Sequence, residues 1–67
     1  MGFETKVLAE VATVLKRERS ACFYNGSLFV ECTVAEAVKV ETALLKNVVT
    51  CGIILSRAGD ESVFDFV

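Results

Sequence analysis

Asn25-Gly26 lies between two runs of strand-forming residues, Ser20-Ala21-Cys22-Phe23-Tyr24 and Ser27-Leu28-Phe29-Val30-Glu31-Cys32. A type I′ turn needs positive φ at both central residues, which Asn and Gly tolerate, so this dipeptide between such runs specifies a tight β-hairpin. A two-residue loop sets Tyr24 opposite Ser27, Phe23 opposite Leu28, Cys22 opposite Phe29 and Ala21 opposite Val30. Side chains alternate along a strand, so the register also assigns faces. Ala21, Phe23, Leu28, Val30 and Cys32 share one face, and Ser20, Cys22, Tyr24, Ser27, Phe29 and Glu31 share the other.

A second hairpin is expected from Val48 to Val67, with an outgoing strand to Arg57, a turn at Ala58-Gly59-Asp60-Glu61 and a return from Ser62. A turn centred on Gly59-Asp60 pairs Leu55 with Phe64 and Ile53 with Phe66. Val49, Cys51, Ile53, Leu55, Phe64 and Phe66 then form a strongly apolar face, opposite Thr50, Gly52, Ile54, Ser56, Val63 and Asp65.

Each hairpin follows a segment with helical periodicity. Phe3, Val7, Leu8, Val11, Val14 and Leu15 recur at three-and-four spacing and predict a helix over Phe3–Arg19, with Thr5, Lys6, Glu10, Thr13, Lys16 and Arg17 on its solvated face. Glu4 near its start and Lys16, Arg17 and Arg19 near its end suit the helix dipole. Thr33 followed by Glu36 reads as a capping box before a second helix over Val34–Asn47. The apolar arc of that helix holds Val34, Ala37, Val38, Val40, Leu44 and Leu45. Glu41 is the one charge that projects into it.

The order αββαββ predicts a single α+β domain over residues 1–67, with two helices packed on one face of a four-stranded antiparallel sheet. At an offset of 29, Val11, Thr13, Leu15 and Cys22 match Val40, Thr42, Leu44 and Cys51, so the halves are candidates for a duplication.

Two helices cover one face of a sheet, and the chain has more apolar material than that arrangement hides. In 67 residues, 54% are apolar, and the mean hydropathy is +0.55. A domain this short buries only about 60% of its unfolded surface and usually needs disulfides, a metal or oligomerisation for support. Cys22, Cys32 and Cys51 are an odd set, unaccompanied by a secretory leader, and read as reduced, mostly buried thiols in a cytoplasmic setting. With no histidine and no closely spaced cysteine pair, structural zinc is not expected, nor is any cofactor. Oligomerisation remains, with a homodimer favoured.

A net charge of −2 argues against a general nucleic-acid binder, which needs a basic field. No apolar run reaches the roughly 18–20 residues of a membrane span, and Lys6 stands where a myristoylation signal following Met1-Gly2 requires Ser or Thr. Without histidine a cysteine nucleophile lacks its usual partner, and the four glycines stand apart rather than in a phosphate loop. Enzymatic activity is therefore not expected.

The leading expectation is a non-enzymatic, self-associating interaction module, of a size that suits an accessory protein of a phage or mobile element. Its interface is expected at Cys22, Tyr24, Phe29, Ile54 and Val63 on the uncovered sheet face, with Tyr24 and Phe29 as aromatic anchors. Phe66 is added if the last strand forms a sheet edge open to strand addition. Glu41 is the candidate functional carboxylate. The alternative function is nucleic-acid association through Lys16, Arg17 and Arg19, with Tyr24 and Phe29 for stacking.

Overall fold

The structure is a computed structural model that describes residues 2–66. Met1, and Val67 at the expected end of the last strand, lie outside the described residues. The elements are α1 (Phe3–Leu15), β1 (Ala21–Tyr24), β2 (Ser27–Glu31), α2 (Val34–Asn47), β3 (Ile53–Ala58) and β4 (Glu61–Phe66). They form the expected α+β arrangement, with an antiparallel sheet in the order β1-β2-β4-β3.

Both hairpins have the register that their turns dictate. Asn25 and Gly26 take φ of 50° and 81°, and Ala21 to Tyr24 pair with Val30 to Ser27. Gly59 takes φ of 65°, and Ile53 and Leu55 pair with Phe66 and Phe64. The hairpins join through β2 and β4, where Leu28 faces Phe64, Phe29 faces Val63, Val30 faces Ser62 and Glu31 faces Glu61. β4 therefore lies inside the sheet, and β1 and β3 form its edges. This corrects the placement that would have opened the C-terminal strand to strand addition.

The helices pack on each other, α1 also on β1 and α2 also on β3. Val7, Val11 and Leu15 of α1 and Ala37, Val40 and Leu44 of α2 close over Leu28, Val30 and Phe64. Full burial of such side chains contributes about 1.5–3 kcal/mol each. Phe66 also belongs to this side. Its ring meets Phe3 edge-on at 5.2 Å and Phe23 at 5.9 Å.

α2 spans Val34–Asn47 with the complete capping box. Thr33 Oγ1 accepts from the Glu36 amide at 3.2 Å, and Glu36 Oε1 accepts from the Thr33 amide at 3.0 Å. α1 ends at Leu15, four residues short of expectation, because Lys16 turns into the left-handed region at φ 57°. Leu15 is the last residue of α1 that reaches the core, and the basic residues follow the helix instead of occupying its last turn. β3 starts at Ile53, opposite Phe66 of β4, five residues after the expected Val48. The amides of Val48 and Val49 instead donate to Leu44 O at 3.0 and 2.8 Å and wrap the end of α2. Cys51 therefore sits exposed in a connecting loop. Cys22 is also exposed, so only Cys32 of the three free thiols is buried. The offset of 29 superposes buried helix positions, Val11 with Val40 and Leu15 with Leu44, but it matches Cys22 in a strand with Cys51 in a loop.

A polar clasp holds the second hairpin to the start of α2. Arg57 Nη1 donates to Cys32 O at 3.1 Å and to the fully buried Ser62 Oγ at 2.7 Å, while Nη2 donates to Gly59 O at 3.2 Å. Removing a donor from a buried acceptor costs about 1–3 kcal/mol. Each kcal/mol lowers the melting temperature of a domain this size by about 4–8 °C. Arg57→Ala is therefore expected to lower Tm by roughly 4–24 °C by circular dichroism, and the exposed Lys39→Ala by no more than about 4 °C.

Candidate interaction surfaces

Across the uncovered sheet face the side chains form three rows. Cys22, Phe29, Val63 and Ser56 oppose one another across all four strands. Beside them lie Tyr24 with Ser27 and Asp65 with Ile54, the two pairs linked by the Ser27 hydroxyl bonded to the Asp65 carboxylate. On the other side, Glu31 opposes Glu61, which opposes Ala58. Tyr24 and Ile54 are 66% and 57% exposed, and Tyr24 stacks edge-to-face on Phe29 at 6.3 Å. The structure thus gathers Cys22, Tyr24, Phe29, Ile54 and Val63 on one open face. It places Phe66 on the opposite, helix-covered face.

Charge on the open face is one-sided. Glu31 and Glu61 sit directly across strands, a like-charge pair that destabilises a sheet, and Asp65 adds a third carboxylate. All four lysines lie on or immediately after the helices. Arg19 shares a shallow cleft of about 150 Å³ with Cys22, Phe29, Glu31 and Glu61.

A second apolar surface arises from the rotation of α2. At 100° per residue, Val34, Val38 and Leu45 fall within about 40° of one another. They lie about 180° from Glu36 and Asn47, which mark the side facing α1. Glu36 Oε2 meets Arg17 Nη1 at 3.0 Å, and Asn47 Nδ2 donates to Glu10 Oε2 at 3.5 Å. Val34, Val38 and Leu45, expected in the core arc, are instead 61%, 52% and 45% exposed. The arc is wider than the sector that the sheet and α1 can cover. The sequence contained the signal: these three residues project apart from Ala37, Val40 and Leu44. Glu41 is half-buried in the outer stripe, between Val38 and Leu45, and makes no ion pair with the described residues.

The basic cluster is divided. Arg17 is held by Glu36 and by Glu31 O, the latter at 2.8 Å, whereas Lys16 and Arg19 are exposed in left-handed turns. The described residues contain no cluster of metal-ligating side chains and no helix long and apolar enough to cross a membrane. Comparison with protein-family models, curated proteins and solved structures finds no match.

The Thr33 amide bonded to the Glu36 carboxylate, aided by the Arg17 guanidinium, holds Glu36 below the usual carboxylate range. A lowered folded-state pKa stabilises the fold fully above the unfolded-state value, and that contribution is lost as pH falls through the folded-state value. An NMR titration is expected to show Glu36 protonating below an ordinary glutamate. In Arg17→Ala its midpoint should rise but stay low, because the Thr33 bond remains.

Proposed function

We propose that this chain is a non-enzymatic protein-interaction module that self-associates and uses its open sheet face to hold a protein partner. The observation that carries this reading is the row of exposed Cys22 with half-buried Phe29 and Val63, flanked by exposed Tyr24 and Ile54 and covered by no element among the described residues. Apolar residues grouped on an open face mark binding surfaces, with aromatics as their anchors.

The rim narrows the choice of partner. Two copies meeting through this face would bring Glu31, Glu61 and Asp65 of each together, with one Arg19 apiece to offset them. A segment with aliphatic side chains between lysines or arginines matches both the apolar row and the carboxylates, which steer it and fix its register. Charge thus favours a basic partner over a second copy.

Synthetic peptides of alternating leucine and lysine, and of leucine and glutamate, probe this face. The lysine peptide is expected to shift the NMR signals of Cys22, Phe29 and Val63, and Phe29→Ser to weaken its binding about 10-fold or more, as for a truncated interface anchor. Equal binding of both peptides, or shifts confined to the helices, would count against the reading.

A further inference from the structure

We infer that the flank formed by α2 and β3 is a self-association surface for a second copy of this chain. Two copies related by a two-fold axis would set β3 antiparallel to β3, giving one eight-stranded sheet with the two α2 stripes side by side above the seam. This rests on the proposal that the chain self-associates, and it names the surface.

β3 is an open edge with few of the features that normally protect one. Edges are blunted by shortness, proline or outward lysine, and Ile-Ile-Leu-Ser-Arg-Ala has neither proline nor lysine. Its single charge, Arg57, is turned back onto Ser62 and Cys32. The other edge, β1, has only four residues, against six in β3.

The apolar side chains above this edge complete the surface. Ile53 and Leu55 point to the helix side and stay half-exposed at the rim. α2 packs on β3 and carries Val34, Val38 and Leu45 on the side away from α1. The helix and strand match in length, 14 residues at about 1.5 Å each and 6 at about 3.3 Å each, or roughly 20 Å. On a molecule 22 Å across its shortest axis, the flank projects to roughly 400 Å² and presents more area once its relief is counted. That approaches the about 600 Å² per partner at the lower end of stable interfaces. Backbone bonds between the strands add directionality that the open sheet face lacks.

Glu41 interrupts the stripe, which gives the seam a signature with two directions. Sedimentation equilibrium on the wild type should give twice the chain mass of 7.3 kDa. Val38→Glu is expected to raise the dimer Kd by about 30-fold or more, the effect of losing an interface anchor. Glu41→Leu should lower it, and Phe29→Ser should leave it unchanged. Val38 and Glu41 lie outside the buried core, and circular dichroism would verify that each variant is folded. Amides of β3 should exchange more slowly as protein concentration rises.

A wild type that is monomeric at high micromolar concentration would sink both this inference and the self-association on which it rests. An oligomer unchanged by Val38→Glu, or one dissolved by Phe29→Ser, would overturn the flank as the seam while leaving self-association standing.

Discussion

The two helix–hairpin halves are joined in the sheet by one backbone ladder, β2 against β4, and the rest of the molecule depends on it. Leu28 opposite Phe64 sits at its centre, both fully buried, with Phe23 and Leu55 as their outer neighbours. This ladder brings the apolar sides of both hairpins, Leu28, Val30 and Phe64, onto one face of the sheet, and both helices bury their apolar residues there. The same pairing sends β1 and β3 to the edges. It thereby decides which backbone groups a second chain can reach, something that neither hairpin settles alone.

What the sequence made legible was local. Positive φ at Asn25 and Gly26, and at Gly59, set each hairpin register within a few residues of the turn, and Thr33 with Glu36 fixed the start of α2. Those registers were enough to group Tyr24, Phe29, Ile54 and Val63. The order of strands was not legible, because the contest between edge and centre for β4 is decided by pairing partners 30 to 36 residues apart. The outer stripe of α2 escaped notice for a related reason. Val34, Val38 and Leu45 have the composition of core residues, and although they project apart from Ala37, Val40 and Leu44, the position of α1 decides which part of the apolar arc is covered. Lys16 ended α1 early through a left-handed turn that a lysine adopts reluctantly and that its residue type does not advertise.

The two exposed apolar surfaces differ in the polar groups around them. The sheet face has a carboxylate rim and a like-charge pair built into adjacent strands, an arrangement relieved by an incoming cation. The α2 flank has a single carboxylate in its stripe and an unpaired backbone edge beneath it. Specificity against the wrong occupant can thus be encoded by charge alone on a chain of this size.

Phe3 and Phe66 bring the two ends of the described chain into ring contact. A short linker joining those ends, with new termini at the exposed Asn25-Gly26 turn, would leave every strand neighbour in place. In such a permuted chain the β1–β2 register would rest on the backbone ladder and on the packing of Ala21 and Phe23 against the core, without the turn that now sets it.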